Sequence, residues 1–169
     1  KDLSPYGYYK ISQNIIVIYY ITWKGSTKHE ISHRYTKADF PNAPSWFDEG
    51  LSSLNEKSVY KNGKLIAEFS WRIVALRRAI KDGKYTGLEK MMRTDDEQLY
   101  GNRVSYYYAQ SRYLLMYLQE KGLLEKYYKT FRDTHDDDPT GISQLEKILG
   151  KPLEEIDVDY YEYINSFKE

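Results

Sequence analysis

Cysteine is absent from the sequence, histidine occurs only three times, and neither sign of charge is in excess. Without cysteine, the chain has no disulfides, thiolate zinc sites, iron–sulfur clusters or cysteine nucleophile. The 25 Lys and Arg residues equal the 25 Asp and Glu residues in number, whereas a domain that binds nucleic acid through phosphate contacts needs a basic surface. We therefore expect no nucleic-acid partner, and any metal site has few imidazoles to use.

Long hydrophobic runs are absent as well. The longest, residues 15–21, has seven residues, whereas a helix that spans a membrane needs about 20. With 19 Tyr, 5 Phe and 3 Trp among 169 residues, the chain is too aromatic to be disordered. We expect a single domain over residues 1–169, monomeric and without a membrane span. Because no signal peptide is visible and the chain begins at Lys1, we expect a processed or excised domain, which favours an extracytoplasmic or secreted location.

Residue patterns predict an α+β domain in which a small N-terminal sheet precedes a helix-rich body. Residues 6–22 are rich in β-branched and aromatic side chains and predict a β-hairpin with its turn at residues 12–14. Residues 23–26 should break the second strand, and Asn62 and Gly63 predict the tight turn of a second, short hairpin. Helices are predicted at residues 26–35, 46–56 (capped by Ser45), 71–81, 104–121, 123–132, 142–149 and 153–167.

The strongest motif is the H-E-x-x-H pattern formed by His29, Glu30 and His33. On a helix, residues i and i+4 lie one turn apart on the same face, so both imidazoles can bind one cation. A catalytic zinc ion has three protein ligands and a water, and Glu30 would lie beside the metal, where it can take a proton from that water. Two alternatives stay open. The histidines can be solvated on a surface helix, or Glu30 can close a T-x-x-E capping box with Thr27.

A carboxylate on the next predicted helix is the candidate for the third ligand. Glu49 and its neighbour Asp48 follow a loop bounded by Pro41 and Pro44, which allows the two helices to pack against each other. The H-E-x-x-H motif followed by W-F-D-E-G-L at residues 46–51 resembles the gluzincin metallopeptidases. The segment P-S-W-F-D-E-G-L at residues 44–51 is similar to the bacterial peptidase-MA-like families, and residues 108–114 and 138–141 also look like that group.

The resemblance implies a zincin-like fold and zinc-dependent hydrolysis of peptide bonds, with a peptide or protein as the substrate. His29, His33 and Glu49 would bind Zn²⁺, and Glu30 would be the general base. Asp48 would support a ligand or carry a charge at the helix start. Tyr108 matches the position of a tyrosine that stabilises the oxyanion, and a core tyrosine is its alternative interpretation.

Several further expectations surround this site. The strand at residues 15–21 should border the cleft and pair with an extended substrate, or simply pack under the metal helix. Lys28 beside His29 should repel a cation modestly. His135 is expected to be a solvated loop histidine, and the three aspartates at residues 136–138 a solvated acidic turn rather than a Ca²⁺ site, since they lack EF-hand spacing.

Two other functions compete with the peptidase hypothesis. One is a non-catalytic zinc-binding or protein-interaction domain on an engineered or trimmed metallopeptidase scaffold. The other is a purely structural helical domain without a metal, which requires both motifs to be coincidences. Metal content separates this last class from the first two.

Overall fold

Two small antiparallel hairpins and a larger set of helices make up the computed structural model, which describes residues 7–18 and 23–167. Helices account for 63% of the structure, so the predicted strand-first, helix-rich α+β class is confirmed. In the described part of the chain no helix is both long and apolar enough to cross a membrane. The strands are β1 (Gly7–Lys10), β2 (Ile15–Ile18), β3 (Ser58–Lys61) and β4 (Lys64–Ala67). The helices are α1 (Trp23–Asp39), α2 (Ser45–Glu56), α3 (Ile73–Lys81), α4 (Gly87–Met92), α5 (Asp96–Leu99), α6 (Val104–Glu120), α7 (Leu124–Asp133), α8 (Ile142–Leu149) and α9 (Leu153–Ser166).

Both predicted hairpins are present in the described residues. Strand β1 pairs with β2 so that Tyr9 faces Ile16, and β3 pairs with β4. The turn at Asn62 and Gly63 has positive φ at both residues, 51° and 79°, as the turn favoured in two-residue hairpin loops requires. Residues 19–22, which include the end of the predicted second strand, lie outside the described residues.

Helix α1 is longer than predicted at both ends. Residues 23–26 form its first turn, so the helix begins three residues before its predicted start at residue 26. Gly25 explains the difference, because a Cβ at that position would lie only 3.3 Å from Cγ of Glu56. Close packing of α1 against the end of α2 thus outweighs the low helix propensity of glycine. Since Thr27 lies inside the helix and not at its N-cap, the alternative of a capping box with Glu30 is ruled out.

Helix α2 lies between α1 and α6 at the centre of the fold. A Cβ at Gly50 would lie 3.0 Å from Cδ1 of Leu115 and from Cβ of Ser111, so glycine lets α2 approach α6 closely. The predicted cap at Ser45 is wrong, because Pro44 is the N-cap and Ser45 is the first helical residue. The Ser45 hydroxyl instead donates a hydrogen bond to Oδ1 of Asp96.

A buried arginine ties α6 to the second hairpin. Arg112 has no exposed surface, and its guanidinium donates to the backbone carbonyls of Ser53 (3.0 Å) and Glu68 (2.6 Å). Burial lowers its pKa. These contacts of Arg112 join α6 to the last turn of α2 and to the segment after β4.

The loop before α8 is only partly solvated. Asp136 and Asp137 are exposed, as predicted, but the prediction is wrong for Asp138 and for His135, which is half-buried. His135 contacts the rings of Phe40 and Phe131, with centroids 5.2 and 5.7 Å apart. Asp138 is buried, where its carboxylate accepts hydrogen bonds from the N–H groups of Gly141 and Gln144. Asp138 therefore satisfies backbone donors at the start of α8, as capping aspartates do.

Candidate metal centre

The two histidines of the H-E-x-x-H motif and Glu49 meet where α1 packs against α2. His29 Nε2 lies 3.3 Å from Glu49 Oε2, and His33 Nε2 lies 3.5 Å from the same oxygen. His29 is 9% exposed and Glu49 is 6% exposed. The structure therefore brings together the three residues that the sequence predicted as ligands, and it places their donor atoms within 4.8 Å of one another.

The spacing and the chemistry of this cluster fit a metal ion. Two ligand atoms at 2.0–2.1 Å from a tetrahedral zinc ion lie about 3.3 Å apart, close to the two distances measured. Glu49 Oε2 is buried and has no hydrogen-bond partner among the described residues, although a buried polar atom normally has one. A cation bound by two imidazoles and this oxygen would satisfy it. The donor set suits zinc and other first-row divalent ions.

The cluster is strongly polarised without a metal. Burial favours the neutral form of Glu49, but contacts with His29 and His33 hold its pKa well below the usual range. Burial likewise opposes charge on His33, yet contacts with Asp48 and Glu49 raise its pKa to about 10. A cation that binds His33 therefore has to displace the proton that this raised pKa favours.

Asp48 lies outside the cluster of His29, His33 and Glu49 and contacts His33 instead. Its Oδ2 lies 3.1 Å from His33 Nδ1 and 3.4 Å from Lys37 Nζ. The Ser52 hydroxyl lies 3.1 Å from the same imidazole nitrogen. Contacts of this kind fix a ligand's ring orientation, and here they leave His33 Nε2 directed at Glu49.

Glu30 is available beside the cluster. It is 8% exposed and lines the same cleft as the two histidines. Burial raises its pKa, although His29, His33 and the backbone N–H of Tyr9 act in the opposite direction. The ammonium of Lys28 is held elsewhere, donating to the carbonyl of Ser58 at 2.6 Å.

Two tyrosines complete the wall around Glu49. Tyr108, the residue matched by the resemblance, lies on α6 with its ring stacked on His29 at 6.3 Å. Burial and the charge of Glu49 raise its pKa. Tyr100 was missed, because it follows the short helix α5, in a segment without a periodic pattern. Its hydroxyl donates to Glu49 Oε1 at 2.8 Å, which leaves Oε2 for the histidines.

The cluster lies in a cleft of about 750 Å³. The strand that borders the cleft is β1, through Gly7, Tyr8 and Tyr9. The prediction that residues 15–21 border it is wrong for residues 15–17, which do not line the cleft. The hairpin order accounts for this, because β2 pairs with β1 and β1 supplies the strand residues of the cleft wall.

No family model, curated protein or solved structure matches the chain. The likeness to the gluzincin metallopeptidases therefore rests on the motifs at residues 29–51 and on the cluster that they form. This cluster is the starting point for assigning a function.

Proposed function

We propose that the protein is a zinc-dependent peptidase of the gluzincin type. It would have a zincin-like fold and be related to the peptidase-MA-like group. The observation that carries the proposal is the convergence of His29, His33 and Glu49, with Glu30 beside them in an open cleft. Two imidazoles and a carboxylate leave one position for water on a tetrahedral zinc ion, which is the arrangement of a catalytic site.

The division of roles follows from the environment of each group. Zinc, when bound, acidifies a coordinated water and polarises the carbonyl of the scissile bond. Glu30 accepts the proton of the attacking water and returns it to the leaving amine. The pKa of Glu30 is raised and so lies closer to neutral pH than that of an ordinary glutamate, which suits a group that must take up and release a proton.

Tyr108 is the proposed donor to the developing oxyanion. Its raised pKa keeps the hydroxyl protonated at neutral pH, so it can donate a hydrogen bond. Such donors contribute when they are held in place before the reaction. Stacking on His29 holds the Tyr108 ring beside the proposed metal ligand.

Hydrolysis by Glu30→Gln protein tests the general-base assignment. We expect the variant to keep its zinc and to lose about 100-fold or more in rate, as removal of a general base does. Glu89→Gln is the control, since the Glu89 carboxylate is exposed and pairs with Arg93, the residue that follows its own helix. Equal rates for wild type and Glu30→Gln, with zinc still bound, would overturn the assignment.

A zinc-binding domain without catalytic activity is the second candidate. The observation behind it is that His29 Nδ1 is buried without a hydrogen-bond partner among the described residues, so the site lacks a contact whose loss lowers the activity of zinc enzymes. This candidate predicts bound zinc and no hydrolysis by wild-type protein of any peptide tested.

A further inference from the structure

A tryptophan in the cleft wall leaves most of its ring open to solvent. Trp71 is 66% exposed and lines the same cleft as His29, Glu30 and Glu49. Its indole offers one of the largest apolar surfaces of any side chain, and such rings dominate the energetics of binding sites. An open indole inside a concave site is therefore placed to contact whatever enters the cleft.

Trp71 belongs to a series of contacting planar groups that begins at the metal cluster. The ring of Tyr108 lies 6.3 Å from that of His29, at an angle of 16°. The guanidinium of Arg72 follows, 5.3 Å from the Tyr108 ring and 4.9 Å from the Trp71 ring. The position of Trp71 is thus tied to that of a proposed metal ligand.

The wall around Trp71 carries no unbalanced charge. Arg72 Nε donates to Glu56 Oε2 at 2.7 Å, and both side chains line the cleft. Because the guanidinium already has its carboxylate, the wall offers little to an acidic or basic side chain. A large apolar side chain, by contrast, gains buried area against the indole.

We propose that Trp71 forms a subsite for a large apolar or aromatic side chain of the substrate polypeptide. The inference rests on the proposed peptidase function. The three contacts from His29 to Trp71 set an upper limit on the distance between the metal cluster and the indole. Because an extended chain rises about 3.3 Å per residue, the side chain that Trp71 binds lies within about five residues of the cleaved bond. Trp71 would then determine specificity without taking part in the chemistry.

Binding and hydrolysis of matched peptides test the proposal. The probes are uncharged decapeptides of Gly, Ala and Ser in which one position carries either Phe or Ala. Dissociation constants are measured by calorimetry on zinc-loaded Glu30→Gln protein, where turnover does not interfere. We expect the best Phe peptide to bind about tenfold more tightly than its Ala counterpart. In wild type the preference should appear mainly in KM.

Three variants in the same background separate the subsite from general effects. Trp71→Ala should abolish the preference for Phe, whereas Trp71→Phe should keep most of it. Val74→Ala is the control, because Val74 is 65% exposed but does not line the cleft, and it should leave the preference unchanged. A preference that survives Trp71→Ala, or its absence in the parent protein, would overturn the proposal.

The two proposals fail in different ways. If no peptide is hydrolysed but the Trp71-dependent preference in binding is intact, the subsite stands and the peptidase function is wrong. If Phe and Ala peptides are bound and hydrolysed equally well, the function stands and the subsite is wrong.

Discussion

Removal of one hydroxyl tests whether the wall around Glu49 supports metal binding. In Tyr100→Phe protein, Glu49 Oε1 loses a hydrogen bond of 2.8 Å. Loss of such a supporting contact costs about 10–100-fold in metal affinity, or about 1.4–2.8 kcal/mol. Because Tyr100 is 50% exposed, water can replace part of the bond, and we expect a loss of about tenfold, at the lower end of that range.

Competition with a chromophoric chelator measures the zinc dissociation constant of each protein. Tyr60→Phe is the matched control, since Tyr60 is 75% exposed on β3 and lies outside the cleft lining. With cobalt in place of zinc, Tyr100→Phe should also change the visible spectrum, because the carboxylate can then reorient on the metal. An affinity within twofold of wild type, or an equal loss in Tyr60→Phe, would refute the reasoning.

Three further predictions concern the packing at Gly50, the proton on His33 and the buried side chain of Arg112. Gly50→Ala should lower the stability of the metal-free protein by about 1 kcal/mol, because crowding against Leu115 and Ser111 outweighs the gain in helix propensity; an unchanged melting temperature would contradict this. The raised pKa of His33, about 10, contributes stability that is complete below about pH 6.5 and lost as the pH rises through 10. Zinc binding at pH 8 should therefore release about one proton or more. Calorimetry in two buffers with different ionisation enthalpies measures this number, and binding without proton release would contradict the prediction. Arg112→Met should cost about 3 kcal/mol in urea unfolding, because buried carbonyls lose their donor, while Arg132→Met, at a surface ion pair with Asp39, should cost under about 1 kcal/mol.

Local sequence patterns predicted most of the elements. The Asn62–Gly63 turn, the long periodic segment of α6 and the helices α8 and α9 all follow from signals within a few residues. The errors occurred where distant contacts decide the outcome. Gly25 is helical because α1 packs against Glu56, and Ser45 does not cap α2 because its hydroxyl reaches Asp96. Helices α4 and α5 are too short to show a hydrophobic period.

The same distinction between local signals and distant contacts applies to the residues of the candidate site. His29 and His33 follow from their spacing on one helix, whereas Glu49 was preferred to Asp48 through the resemblance to the gluzincins, and the structure brings all three together. Tyr100 and Trp71 reach the site from segments far along the chain, and nothing in their neighbours indicates this. A chain with 19 tyrosines offers too many aromatic candidates for composition to single them out. Their roles depend on how α5, α6 and the start of α3 pack around α2.

Metal content tests the central claim most directly. Protein that has never met a chelator, together with its Glu49→Gln and Asp48→Asn variants, is analysed for bound zinc after gel filtration. We predict about one zinc ion per chain in wild type, a similar or moderately lower content in Asp48→Asn, and less than about one tenth in Glu49→Gln. Wild-type protein without zinc, or Glu49→Gln protein with a full complement, would contradict the assignment of His29, His33 and Glu49 as a metal centre.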